Sequence, residues 1–191
     1  MKNKTTLWVA RTGLMLALLV VAQFVGSKLI PAGAVVLGPM SITQLITGSL
    51  VNMILILTAA VVGLWSGIAV GVLSSVLALL LGIQGQPIIT PAVALGNVVI
   101  VLVTWVFFTL ATQKGQKPYG LFGITGVVLG SVAKTAFLWL SVPALLTLVP
   151  ELKPPVVEKL SMMFSYPQLA TALLGGALAL AVIPAIKRVA K

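Results

Sequence analysis

Six runs of roughly twenty apolar residues fill most of this chain, and each is long enough to cross the ~30 Å hydrocarbon core of a bilayer. They cover residues 7–26, 44–62, 66–82, 91–112, 121–148 and 167–186. Lipid offers no partner to a backbone N–H or C=O, so a segment that crosses alone must satisfy those groups within itself, as a helix does. The runs therefore predict an all-α integral membrane protein. Its six transmembrane helices form one compact bundle, a single domain over residues 1–191. Composition agrees: 60% of residues are hydrophobic and only 7% charged, against about 25% charged in ordinary soluble domains.

The missing side chains narrow function. Glu151 and Glu158 are the only acids, and there is no histidine or cysteine. Most general acid–base, metal-ligand and disulfide chemistry therefore has nothing to work with, and neither a metal nor a cofactor is expected. A net charge of +10 raises the question of nucleic acid. The basic residues, however, sit at segment ends and in short connections, without the aromatic interleaving of a nucleic-acid surface.

Topology accounts for the charge better. An even number of helices puts both termini on one side, which collects Lys2, Lys4, Arg11, Lys114, Lys117, Lys187, Arg188 and Lys191. The other side holds only Lys28, Lys153 and Lys159. Eight basic residues against three place both termini in the cytoplasm by the positive-inside rule, in a multi-pass membrane protein. Trp8, Trp65 and Tyr119 then fall near the inner interface, and Phe164 and Tyr166 near the outer one. The first run has basic flanks and an Ala32-Gly33-Ala34 pattern downstream, but it is too long for a typical signal-peptide core. Connections one, three and five face outward.

Polar and small residues inside the runs demand explanations. Gly67, Gly71 and Ser75 recur every four residues and read as a close-packing seam, with Gly175 and Gly63 in similar roles. Ala10, Gly13 and Ala17 share a face near the cytoplasmic end of the first run, a groove suited to another protein's helix. Gln44, Gly48 and Asn52 form a stripe beside Thr47; Asn97 lies below the start of the fourth run, and Gln168 and Thr171 begin the sixth. On the fifth, Ser131, Lys134, Leu138 and Ser141 share one face.

Lys134 is the most expensive of these, because a lysine at a helix centre costs about 2.5–3.5 kcal/mol on insertion scales. Neither glutamate lies in a span. Asn97 or backbone carbonyls compensate only in part, so an anion or strong acceptor arriving from outside is the expected partner. The competing reading is structural, a snorkelling or water-bound lysine. Around Lys134, the expected solute-binding set is Asn97, Ser131, Trp139, Gln84, Gln86, Gln168 and Thr171. Trp139 would stack on a ring if it does not simply pack.

No Gly-x-x-x-x-Gly-Lys-Ser/Thr loop and no intramembrane acid or histidine is present, so uphill transport needs an engine elsewhere. The length, the six spans, the opening "VARTGLMLALLVV" (9–21) and "GPMSITQLITGSLVNMILIL" (38–57) resemble the substrate-binding S components of energy-coupling factor (ECF) vitamin transporters. The resemblance implies a non-catalytic capture subunit with solute in the outer half, among helices four to six, under connections one, three and five. It also implies a transmembrane coupling (T) subunit, two cytosolic ATPase subunits, and an S component that topples to deliver its cargo. The family's Ala-x-x-x-Ala contact maps onto Gly13 and Ala17, with glycine in the first place.

The cargo is narrowed by chemistry. A cationic vitamin such as thiamine lacks an acid or an aromatic cage here, and cobalt or nickel lacks its ligands. A carboxylate such as pantothenate is the first guess and riboflavin or another neutral ring the second. The rivals are a self-sufficient small secondary transporter or channel, a Ser131–Lys134 intramembrane hydrolase, and a membrane scaffold.

Overall fold

Each apolar run folds as a helix, and local signals set most of the ends. A computed structural model describes residues 3–29, 31, 33–37 and 39–189; Lys2, Ala32, Gly38 and Lys191 lie outside them. Helix α1 (Lys4–Phe24) starts where the Asn3 side chain accepts the Thr5 N–H, and its end is extended by one π-helical turn, Val25–Leu29. A short hairpin, β1 (Val35–Leu37) with β2 (Met40–Ser41), leads into α2 (Ile42–Val61). There Ser41 and Gln44 cap each other reciprocally, satisfying two otherwise unpaired donors. Gly63, at φ +123°, makes the tight turn into α3 (Leu64–Leu80).

A single 3₁₀ turn, Pro87–Ile89, precedes α4 (Thr90–Gln113), which is followed by α5 (Leu121–Leu146). The Pro154-Pro155 pair starts α6 (Pro154–Met163), and α7 (Tyr166–Val189) completes the chain.

Among the described residues, five stretches are long and apolar enough to cross a membrane, and α3, at 17 residues, falls just short of that length. The long stretch from Pro154 to Ile186 is two helices, so only α7 corresponds to the sixth expected span. Helix α6, like the β1–β2 hairpin, was not foreseen. It lies where a loop was expected, and it packs Val157 and Leu160 against Leu138, Val142 and Leu146 of α5.

Helix α2 is the centre of the bundle, touching α1, α3, α4 and α7; α5 bridges α4 and α7. The main core gathers Leu55, Ile56, Val70, Ile100, Val101 and Ala179, all fully buried. The glycine seam of α3 packs on α4: a Cβ on Gly71 would meet that of Asn97 at 3.1 Å, and one on Gly67 would meet Val101 at 2.5 Å. Gly175 brings α7 against α2, where a Cβ would strike the Ser49 carbonyl. Gly63 does not join a seam. Nothing lies within 4 Å of a Cβ there, and its role is the left-handed turn. Helix α1 is the least covered: 17% of its apolar stretch is buried, against 33–44% in the other four long stretches.

Candidate functional site

Helices α2, α3, α4, α5 and α7 meet around one side chain. Lys134, 3% exposed on α5, donates from Nζ to Asn52 Oδ1 of α2 at 2.7 Å and to Asn97 Oδ1 of α4 at 2.8 Å. With both amide oxygens turned to the lysine, both amide nitrogens have donors left to give. Asn97 Nδ2 reaches the Gly71 carbonyl and Ser75 Oγ of α3, each at 3.2 Å. Asn52 Nδ2 donates to the Gly48 carbonyl at 2.9 Å and to Thr171 Oγ1 of α7 at 3.4 Å. The expensive lysine thus finds its acceptors inside the chain. Asn52 was visible in sequence only as part of a polar stripe; its pairing with Lys134, 82 residues away, was not.

A cavity of about 260 Å³ opens beyond this network, where α2 and α7 begin. Thr43, Gln44, Thr47 and Gly48 of α2 form one wall, and Pro167, Gln168 and Thr171 of α7 form the facing one. Connection one contributes Gly26, Ser27 and Met40; Ile83 comes from connection three and Met163 from the end of α6 in connection five. Gly48 and Thr171 belong to both cavity and network, so Lys134 sits two hydrogen bonds behind the wall. Connections one and three are also joined at the rim, where Lys28 Nζ donates to the Gly82 carbonyl at 2.8 Å. The volume is near the ~300 Å³ lower end of small-molecule pockets, which suits a compact solute.

The expected residues divide into three groups. Gln168 and Thr171 line the cavity. Lys134 and Asn97 lie in the network and are not among the lining residues. Gln84 spends its amide on Thr90 Oγ1 (3.0 Å) and on the Gln86 carbonyl (3.4 Å), which shapes connection three; neither glutamine lines the cavity. Ser131 is fully buried on the Lys134 face, and its Oγ has no partner among the described residues, so no hydrogen bond joins a Ser131–Lys134 pair. Trp139 is 62% exposed next to Leu140 at 74%, on the outer surface of α5 away from the cavity. Its spacing from Lys134 is not a whole number of turns, so it leaves the inward face.

The lining is centred on α2, α7 and three connections; the span α4 supplies none of it. Of the spans among which the resemblance implies the solute lies, this cavity touches only the sixth, with its neighbouring connection. Sequence reading passed over Thr43, Met40 and Met163. Gln44 and Thr47 carried the signal, polar residues on the opening turns of an apolar run.

In the first half of α1, Ala10, Gly13 and Ala17 are exposed, flanked by Leu14 at 60% and Val21 at 58%. A Cβ on Gly13 would meet no described residue within 4 Å, so its smallness serves no contact with them.

A family profile described as "ECF transporter, substrate-specific component" matches residues 8–187. Searches of curated proteins and of solved structures found no match.

Proposed function

The chain belongs to the family of ECF transporter substrate-specific components, a multi-pass membrane protein of transport, and on that premise we propose how it captures its solute. The solute sits in the cavity between the opening turns of α2 and α7, under connections one, three and five. The observation that supports this reading is the coincidence of the cavity with the three connections that the basic-residue count puts outside. The termini, Lys114 and Lys117 then face the cytoplasm of a prokaryotic cell.

Energy comes from a coupling subunit and two cytosolic ATPases, which engage the open small-residue face at Ala10, Gly13 and Ala17. A close helix crossing is driven by backbone approach rather than by hydrophobicity when both partners are already in lipid. α1 has that face free. Lys134 acts from behind the wall. At a separation on the order of 8 Å and an effective dielectric of 20, its charge favours an anion by about 2 kcal/mol. Removing a carboxylate from water costs several kcal/mol. Lys134 alone therefore falls short as an anion anchor and serves first as the tie between five helices.

The test is purification from cells grown in rich medium, followed by native mass spectrometry for a bound vitamin-sized compound, with pantothenate and riboflavin as first candidates. The same protein reconstituted alone in liposomes should not accumulate the compound it carries. Accumulation by the chain alone would establish the self-sufficient carrier instead.

A further inference from the structure

We propose that the solute is uncharged where it meets the cavity and turns an amide-type edge, donor beside acceptor, toward Gln168 and Gln44; this rests on the capture reading above. Among the described residues, the cavity wall contains no charged side chain and no aromatic ring. A cation finds neither a carboxylate nor a cage there. An ionised carboxylate meets no cation on the wall itself: Lys28 at the rim spends Nζ on the Gly82 carbonyl and Lys134 is held behind the wall by Asn52 and Asn97, so mainly neutral donors would replace its water.

Those donors are few, because every hydroxyl on the wall already spends its proton. Ser27 donates to the Phe24 carbonyl (3.4 Å), Thr43 to that of Pro31 (2.9 Å), Thr47 to that of Thr43 (2.8 Å) and Thr171 to that of Gln168 (3.0 Å). What these side chains offer a solute is lone pairs. Gln44 uses Oε1 to accept the Ser41 N–H in the capping box, which leaves its amide nitrogen with no partner among the described residues. Gln168 makes no side-chain hydrogen bond to any described residue, so both its oxygen and its nitrogen are available. The wall therefore shows one complete primary amide, one further amide donor and several acceptors. A primary amide pairs with two hydrogen bonds to a lactam, imide or urea edge, which places a donor next to an acceptor in one plane. Met40, Met163, Ile83 and Pro167 supply soft apolar surface for the rest of a compact molecule.

The compound released from purified protein by denaturation is passed over anion and cation exchangers at pH 7 and identified by mass. Its occupancy is compared between the native chain and Gln168→Leu, with unfolding of the emptied proteins as the folding control. Riboflavin, pantothenol and pantothenate are added to emptied protein in parallel, with thermal stabilisation as readout. We expect a compound that passes both exchangers, carries an amide-type edge, and falls at least tenfold in occupancy in Gln168→Leu; pantothenol should stabilise at lower concentration than pantothenate if either does. A compound retained by either exchanger, or an occupancy unchanged in Gln168→Leu, overturns this inference and leaves the capture reading standing. If nothing is released and none of the three probes stabilises the protein, the capture reading falls and this inference with it.

Discussion

Replacing Lys134 by methionine removes both of its hydrogen bonds, to Asn52 at 2.7 Å and Asn97 at 2.8 Å, and strands two amide oxygens in the core. A buried acceptor left alone costs about 1–3 kcal/mol in soluble proteins. The same substitution removes a buried lysine whose insertion cost is about 2.5–3.5 kcal/mol. These contributions oppose each other, so the single variant's stability is a poor reporter. A double-mutant cycle separates them, because the insertion cost cancels and only the pairwise contact remains. Polar contacts between membrane helices average ~0.6 kcal/mol with a maximum near 1.7, and those to an ionic partner lie at the upper end of their class. Lys134→Met combined with Asn97→Leu should therefore show a coupling of roughly 1–2 kcal/mol. Lys134→Met combined with Trp139→Leu, on the exposed side of α5, should be additive within about 0.5 kcal/mol. The assay is reversible unfolding in mixed detergent–SDS micelles, followed by the fluorescence of the four tryptophans, three of which remain in the Trp139→Leu variants. Additivity in the Asn97 cycle and in the matching Asn52→Leu cycle would refute the network as the reason the lysine is there.

Three further outcomes follow from particular contacts. Gly175→Ala places a methyl against the Ser49 carbonyl and 2.8 Å from the Asn52 Cβ, so it should destabilise the bundle by about 1–3 kcal/mol as an overpacked core does, measured by the same unfolding. Gly13→Leu with Ala17→Leu, on the open face of α1, should leave that unfolding unchanged but abolish co-purification with the coupling subunit and the ATPases; survival of the complex would remove the proposed interface. The chain has no cysteine, so Thr47→Cys makes the cavity wall the only site for N-ethylmaleimide; adding Lys28→Met, which deletes the rim contact to Gly82 at 2.8 Å, should speed labelling about two- to tenfold, the worth of one ordinary hydrogen bond.

The helices were legible because their cause is local. A run of apolar residues as long as a bilayer is thick has few other ways to satisfy its backbone. Boundaries were nearly as clear where a cap or proline set them: Ser41 and Gln44 start α2, and Pro91 stands in the first turn of α4. Helix α6 was missed because its ten residues mix two prolines, a glutamate and a lysine and read as a loop; its stability comes from Val157 and Leu160 resting on α5. The inward face of α5 was also legible, since Ser131, Lys134 and Leu138 are all buried. What no local pattern could supply was which polar residue meets which. Asn52 and Asn97 stand on different helices, 45 residues apart, and they share a partner only because α2 and α4 both border α5 or its neighbours. Trp139 shows the opposite error, since nearness in sequence to an inward lysine does not put a side chain on the inward face.

Apolar packing alone leaves such a bundle poorly determined, because lipid tails and leucines offer one another nearly the same environment. Many rotations of α5 would bury about the same apolar surface. Only one of them delivers the lysine to two carbonyl oxygens, and the others leave it in hydrocarbon at a cost of about 2.5–3.5 kcal/mol. The asparagines extend the constraint. Turning α2 breaks the bonds of Asn52 to Lys134 and Thr171, and turning α4 breaks those of Asn97 to Lys134 and the Gly71 carbonyl. Five helices are thereby held in one mutual orientation, and α7 is tied to α2 at Thr171, where both walls of the cavity begin. Helix α1 has no bond to that network among the described residues. It is joined to α3 by the Thr12–Ser66 hydroxyl pair at 2.8 Å and otherwise by apolar contact. One end of this helix carries the exposed Ala10, Gly13 and Ala17, and the other runs into the turn that bears Lys28 at the cavity rim. A displacement of α1 would therefore be felt both at the rim and at the cavity wall, where Gly26 packs closely on Thr47 of α2.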